Sequence, residues 1–295
     1  MTVAPATVLA AHGRQFVIRT GDGSDRIAVT RGRLADVVAG DRVRWQELGS
    51  GQAVIEQVLP RANAMRRSDR ARGKTLAANL DGILAVISGA PPFSEDLLLR
   101  VLVAAERDGI DAQIVATKAD VEGALERIEP RLAQYERLGY PVVRTAARAC
   151  PEATVAALAP RLANRTTLLL GQSGMGKSTL LNLMVPGAAM ATQAISEALG
   201  TGRHTTTFCR AFELPHGGWL IDSPGFQTFG LAHLSGSEIE HALQEFRPLL
   251  GRCRYHNCSH RHEPGCAIRE AVAEGRIDPR RHALYAALRD EIEPR

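Results

Sequence analysis

The sequence predicts an α/β chain with a small β-barrel in front, a parallel sheet covered on both faces in the middle, and a helical tail. Residues 1–60 hold five short apolar runs separated by turns such as Gly21-Asp-Gly-Ser. From about residue 80, buried-strand runs alternate with helical stretches, the rhythm of a parallel sheet. After about residue 232 the pattern is helical, broken by a cluster holding three of the five cysteines. The expected divisions are a barrel at 1–64, an α/β domain at 75–232 and a helical metal-binding domain at 233–295.

Composition sets the bounds. A chain of 295 residues predicts two domains, or three if one is small. Hydrophobic residues at 45% and charged residues at 23% are globular values. They exclude a disordered chain, a collagen-like fibre and a small disulfide scaffold. No apolar run approaches the ~20 residues of a membrane span. The start, Met1-Thr-Val-Ala-Pro, lacks the basic and apolar regions of a signal peptide, so a soluble cytoplasmic protein is expected. The net charge of +4 is unevenly spread. Arg61, Arg66, Arg67, Arg70, Arg72 and Lys74 face only Asp69 within one stretch, a pattern suited to a polyanion or to a solvated linker.

In the front domain the strands are read at Thr7-Val-Leu-Ala, Gln15-Phe-Val-Ile-Arg, Arg26-Ile-Ala-Val-Thr, Asp41-Arg-Val-Arg-Trp and Ala53-Val-Ile-Glu-Gln-Val-Leu. Five such strands suit an OB-type barrel, a fold that often holds RNA. Residues 61–79 read as a basic, polar connection. Asp81-Gly-Ile-Leu-Ala-Val-Ile-Ser is then a buried strand, and Ser94 caps a helix with Glu95 and Asp96 in its first turn. Strands at 112–116, 141–143 and 166–170 alternate with helices near 122–138 and 152–163.

The strand at 166–170 runs into Gly171-Gln172-Ser173-Gly174-Met175-Gly176-Lys177-Ser178, and a helix opens at Thr179. This is G-x-x-x-x-G-K-[ST] in its confirming strand–loop–helix context. Its backbone N–H groups and helix N-terminus favour phosphate oxygens. Lys177 is assigned to the β- and γ-phosphates, with a catalytic role, and the Ser178 hydroxyl to Mg2+. Only three of the 36 basic residues are lysines, and two of them, Lys118 and Lys177, fall in nucleotide motifs.

The second is Thr117-Lys118-Ala119-Asp120, at the end of strand 112–116. It resembles the guanine element N/T-K-x-D. The Asp120 carboxylate can accept from N1 and the exocyclic amine of guanine, donors that adenine does not offer there. Lys118 is expected over the ring. Asp222-Ser-Pro-Gly225 ends the strand Gly218-Trp-Leu-Ile and resembles D-x-x-G. Asp222 would hold Mg2+ through water, and the Gly225 N–H would meet the γ-phosphate. Gly202-Arg-His-Thr-Thr-Thr207 reads as the first switch, with Thr205 or Thr206 completing the metal shell. Most GTPases place the phosphate loop first. Here the guanine element precedes it and the switches follow, so the core is circularly permuted. The second switch then leads directly into the tail.

In the tail, Cys253, Cys258, His260 and Cys266 offer three thiolates and an imidazole, the donor set of a closed structural Zn2+ site. By spacing alone, His256 and His262 compete with His260. Arg247, Arg252, Arg254, Arg261 and Arg269 surround the cluster and suit an RNA contact. Cys150 and Cys209 are read as core residues.

Together these features resemble the RsgA (YjeQ) family of circularly permuted GTPases. The resemblance covers nearly the whole chain. It rests on Arg31-Gly-Arg, Val38-Ala-Gly-Asp-Arg-Val, Leu59-Pro-Arg-Ala-Asn and the phosphate, switch and D-x-x-G motifs above. It implies an OB barrel, a permuted GTPase and a zinc-bearing helical domain, with GTP or GDP, Mg2+ and one Zn2+ as cofactors. It also implies late maturation of the small ribosomal subunit, with that subunit and its rRNA as partners; no membrane and a monomer are expected. The family's spacing selects His260 among the three histidines. Two departures stand out. Thr117 replaces the usual Asn, which can loosen that loop but leaves Asp120 in place. Thr145-Ala-Ala147 replaces the usual Ser-Ala-Lys. Phe226 follows Gly225 where many GTPases carry a water-positioning Gln, so slow intrinsic turnover is expected, with His204 as the candidate for that role. Two other readings are an RNA-binding factor that uses its nucleotide only as a timer, and an ATP-dependent enzyme.

Overall fold

The computed structural model describes residues 5–32, 36–48, 52–68, 73–190 and 208–293. The expected first switch, including His204, Thr205 and Thr206, lies outside the described residues.

Strands β1 (Pro5–His12), β2 (Gln15–Thr20), β3 (Asp25–Thr30), β4 (Arg42–Glu47) and β5 (Ala53–Val58) form the front unit. They pair in the order β1-β2-β3-β5-β4, and β4 returns to β1, which closes a barrel. Only β3 and β5 run parallel. This five-stranded closed order is that of an OB-type barrel. Alternation along each strand sends Val8, Phe16, Ile18, Val43 and Ile55 inward. Asp41 is fully buried under the barrel, where the Arg61 guanidinium pairs with both its oxygens at 2.7 and 2.8 Å. Arg61 therefore serves the barrel rather than a polyanion.

The stretch read as a connection is instead a hairpin, β6 (Ala64–Ser68) and β7 (Gly73–Ala78). Its arginines disguise it. Met65, Leu76 and Ala77 are buried in the main core, while Arg66 faces out. Asn63 and Asn79 fasten its base: the Asn63 side chain bonds the backbone of Leu80 in both directions, and Asn79 Oδ1 accepts from Ala62 N–H.

The central sheet runs in the order β10 (Val142–Arg144), β9 (Asp111–Thr117), β8 (Gly82–Ser88), β11 (Arg165–Leu170) and β13 (Gly218–Asp222), all parallel. β12 (Arg210–Glu213), which the sequence pattern did not reveal, adds antiparallel to β13. It also meets the barrel, with Arg210 opposite Ala10 of β1. The Arg19 guanidinium strengthens that joint by pairing with Glu213 and lying 5.4 Å from the Trp219 ring.

Helices cover both faces. α1 (Glu95–Arg107), capped by the Ser94 side chain as expected, and α2 (Ala124–Arg137) share one core cluster with the tail. α3 (Pro151–Leu162) and α4 (Lys177–Met184) cover the other face through Leu158, Leu162, Leu180 and Leu181. The tail contributes α5 (Gly236–Ala242), a 3-10 turn at Arg247–Leu249, α6 (Ala267–Ala273) and α7 (Pro279–Ile292). Phe246 and Tyr285 sit edge to face, 4.8 Å apart, at its centre. Among the described residues, no helix is long and apolar enough to cross a membrane.

Candidate functional site

Loops after β8, β9, β11 and β13 meet at the carboxyl end of the sheet, where open α/β sheets bind ligands. They enclose a cavity of about 770 Å³. Its walls include Thr117, Lys118 and Asp120 from β9, Ser173, Gly174, Gly176, Lys177, Ser178 and Thr179 from the phosphate loop, and Asp222 and Gly225 from β13. Residues far apart in sequence and permuted in order thus face one space.

Among the described residues, four predicted site residues do not line it. Gly171 presses its Cα against β8, and a Cβ there would fall 2.4 Å from the Val86 carbonyl. Gln172 turns its side chain to accept from Ser94 N–H at 2.7 Å, steadying the start of α1. Met175 is buried in the core below α4. The Ala119 N–H donates to the Thr145 carbonyl at 3.0 Å.

The base loop and the phosphate loop are bonded to each other. Thr117, buried at 5% exposure, donates its hydroxyl to the Met175 carbonyl at 2.6 Å, with the Ile87 carbonyl at 3.1 Å. Threonine in place of asparagine therefore fastens this loop rather than loosening it. Lys118 Nζ bridges the Ala90 and Gly174 carbonyls at 2.6 and 2.7 Å. Gly176, at φ +94°, takes a left-handed conformation that glycine adopts freely, and it lies against the Thr117 side chain.

At the other end, Lys177 Nζ folds back on the Gly171 and Gln172 carbonyls at 2.8 and 2.9 Å. Burial pulls its pKa down, while the Asp222 charge opposes that. Burial pushes the Asp222 carboxyl up to about 6, against the opposing effects of Lys177, the Ser223 N–H and Arg210. Asp222 Oδ1 is buried without a hydrogen-bond partner. An orphaned carboxylate oxygen in a cavity that Ser178 also lines is a fit for a hydrated Mg2+, which prefers oxygen ligands and retains water. Gly225 packs against the phosphate loop so tightly that a Cβ would meet Ser173 at 3.0 Å. Phe226 is buried against Phe229, with ring centroids 5.4 Å apart, and takes no part in the cavity wall.

Three residues of this region were missed by sequence reasoning. Ser223 is buried and donates to the Leu169 carbonyl at 2.6 Å, fixing the D-x-x-G turn to β11. Arg210 sits opposite Asp222 on β12, buried, and burial draws its pKa down to about 10. Arg148 lines the same cavity as Asp120. Only its place after β10 could have singled it out.

The second candidate centre is in the tail. One ligand atom from each of Cys253, Cys258, His260 and Cys266 lies within 4.8 Å of the others. His260 Nδ1 is 3.4 Å from both Cys253 Sγ and Cys266 Sγ, and those sulfurs are 3.9 Å apart. A tetrahedron of ~2.3 Å Zn–S bonds has edges of nearly that length, so the four residues could hold one Zn2+ and brace this loop-rich segment. His256 and His262 are exposed, whereas His260 is buried and is the histidine grouped with the three cysteines. His260 Nε2 faces Glu240 at 3.8 Å, the outer carboxylate common behind zinc-bound histidines. Of the remaining cysteines, Cys209 is buried as expected, but Cys150 is exposed at the N-terminus of α3.

Comparison with known proteins agrees with this geometry. The RsgA GTPase family model matches residues 58–232. A small ribosomal subunit biogenesis GTPase RsgA of Burkholderia pseudomallei is 52% identical over 286 residues, covering 97% of this chain and 91% of its own. A protein of the same name from Paraburkholderia xenovorans is 52% identical over 293 residues, covering 97% and 93%. The crystal structure of YjeQ from Thermotoga maritima superposes with a TM-score of 0.76 at 26% identity over all of both chains. YloQ, described as a circularly permuted GTPase, superposes with a TM-score of 0.73 at 22% identity, over 100% of this chain and 97% of that one, a likeness of fold.

Proposed function

The chain belongs to the RsgA GTPase family, and from that premise we propose that it binds the small ribosomal subunit through rRNA late in maturation and hydrolyses GTP there. One observation carries the reading: Asp120, Lys177 and Asp222 share a single cavity at the carboxyl end of the sheet. A three-part division belongs to the same proposal, with the end of β5 at Val58 and the start of α5 at Gly236 near its two boundaries; the expected limits at 64 and 75 both fall within the β6–β7 hairpin, which packs in the main core.

In this reading Asp120 accepts from N1 and the 2-amino group of guanine, and Lys118 braces the base loop over Gly174. Thr117 and Ala119 act through the backbone ties of that loop. Gly171 to Thr179 wrap the phosphates, and Lys177 exchanges two backbone carbonyls for β- and γ-phosphate oxygens. Ser178 and Asp222 hold Mg2+, which would offset charge building on the transferred phosphoryl group. Thr205 or Thr206 completes the metal shell, and the Gly225 N–H meets the γ-phosphate. His204 positions the attacking water. Hydrolysis removes the γ-phosphate contacts that order both switches, and the protein leaves the subunit. Cys253, Cys258, His260 and Cys266 hold a structural Zn2+. The protein acts as a monomer in the cytoplasm, where its partner is assembled.

The deciding measurement is GTP turnover with and without purified small subunits. Marked acceleration is expected; equal rates count against subunit-triggered hydrolysis. The His204→Ala variant should bind subunits normally yet lose the stimulated rate. Equal ATP and GTP binding by the unaltered protein would favour an ATP-dependent enzyme.

A further inference from the structure

We propose that Arg148 is a specificity residue for the base, its guanidinium taking the O6/N7 edge of guanine while Asp120 takes the N1/N2 edge. This rests on the guanine-site reading above and extends it to the adjoining edge of the purine.

The first argument is position. Arg148 lines the same cavity as Asp120 and Lys118. Its loop is held close to theirs, because the Ala119 N–H donates to the Thr145 carbonyl at 3.0 Å and the Thr145 N–H to the Ala116 carbonyl at 2.7 Å. The far side of the loop is closed by Cys150 N–H on the Ala146 carbonyl at 2.7 Å, just before α3. The backbone around Arg148 is thus pinned on both sides.

The second argument is availability. Guanine presents two acceptors, O6 and N7, that Asp120 cannot satisfy. Thr117 has one hydroxyl proton, and Met175 and Ile87 already receive it. Lys118 is tied to two carbonyls, as is Lys177 farther along the cavity. Ala146 and Ala147 carry no side-chain donor and can offer only a single backbone N–H each, not a fork that spans both acceptors. Among the described residues, Arg148 has no hydrogen bond, ion pair or ring contact, and its side chain is exposed at the cavity edge.

The third argument is chemistry. The guanidinium fork matches the O6/N7 pair in two parallel hydrogen bonds, the commonest side-chain contact to guanine. Adenine would turn its 6-amino donor toward one arm of the fork, donor against donor, while its N7 still accepts from the other. Arg148 would therefore reward guanine and penalise adenine, a double contribution to selectivity.

The test measures displacement of a fluorescent GDP by GTP, 7-deaza-GTP and 2,6-diaminopurine riboside triphosphate, which remove the N7 acceptor and replace O6 by an amine. The wild-type chain should bind both analogues about 5- to 100-fold more weakly than GTP. Arg148→Ala should weaken GTP by a similar factor and bind GTP and 7-deaza-GTP alike. Arg148→Lys, with its charge but no fork, should recover part of the loss. If Arg148→Ala keeps the full preference for GTP over 7-deaza-GTP, the proposal is overturned. Asp120→Asn with xanthosine triphosphate separates the two levels: a shift toward xanthine upholds the guanine site whatever Arg148 does. Its absence overturns site and proposal together.

Discussion

Thr117 donates its only hydroxyl proton toward the Met175 carbonyl, so the loop assigned to the base and the loop assigned to the phosphates form one hydrogen-bonded unit before any ligand arrives. Thr117→Val keeps the shape and removes the donor. It leaves a buried carbonyl unsatisfied, at about 1–3 kcal/mol. Denaturant unfolding should register that loss. GTP affinity should fall as the loops lose their mutual alignment, while the ratio of GTP to ATP affinity stays unchanged, because Asp120 is untouched. A changed ratio with unchanged stability would contradict this division of labour.

Gly225 makes a different kind of connection. Its Cα lies where a Cβ would meet Ser173 at 3.0 Å and Lys177 Nζ at 3.3 Å. Gly225→Ala must therefore push the D-x-x-G turn away from the phosphate loop. The shift needed is a few tenths of an ångström, less than the 1 Å misplacement that costs about 10²-fold in rate. Single-turnover GTP hydrolysis should fall by less than about 10²-fold, whereas GDP, which lacks the γ-phosphate, should bind much as before. Equal losses for GDP and GTP would place the damage in folding.

Much of this was legible in the residues because it follows from short-range rules. The phosphate loop needs glycines, a lysine and a strand–helix context, all contiguous. The parallel strands are apolar runs such as Gly82–Ser88, buried along their length. What escaped depends on contacts that sequence order conceals. β6 carries Arg66 and Arg67 beside its one large apolar residue, Met65, so its pattern reads as linker. β12 is four residues long and begins with an arginine whose burial exists only between Asp222 and the barrel. Arg148 stands one residue beyond the position that the family motif marks. The histidine of the cluster was open on spacing; the fold gathers His260, rather than His256 or His262, with the three cysteines.

The Asp222 carboxyl gives a pH dependence with a definite sign. In the metal-free fold it titrates near 6, above the 3.8 of an exposed aspartate. Between those values the folded chain holds the proton more tightly than the unfolded chain does. Stability of the apo protein should therefore decline as pH rises through that window, and Asp222→Asn should remove that component. Mg2+ requires the carboxylate, so proton and metal compete. Apparent Mg2+ affinity, read from Mg2+-dependent GTP binding, should be flat above pH 7 and fall toward tenfold per unit below about 6. A flat profile down to pH 5 would show that Asp222 does not touch the metal's shell.

The cysteine cluster should respond to pH in the opposite direction from an acid-stabilised site. Burial and the neighbouring thiols raise Cys258 to about 12, and burial raises Cys266. At neutral pH both are protonated in the metal-free chain, and zinc must displace those protons to bind. Zinc affinity should therefore climb steeply between pH 6 and pH 8, and titration calorimetry in buffers of different ionisation enthalpy should show proton release. The held metal would brace a segment with little regular structure, since Cys253 to Gly265 contains no helix or strand. Chelation should accordingly open that segment to protease while α1 stays folded, with one Zn2+ lost per chain. Cys266→Ala should reproduce the protease pattern without chelator, and His256→Ala, on an exposed side chain outside the cluster, should leave zinc content unchanged. Full zinc retention by Cys266→Ala would mean that the four residues do not form the metal centre.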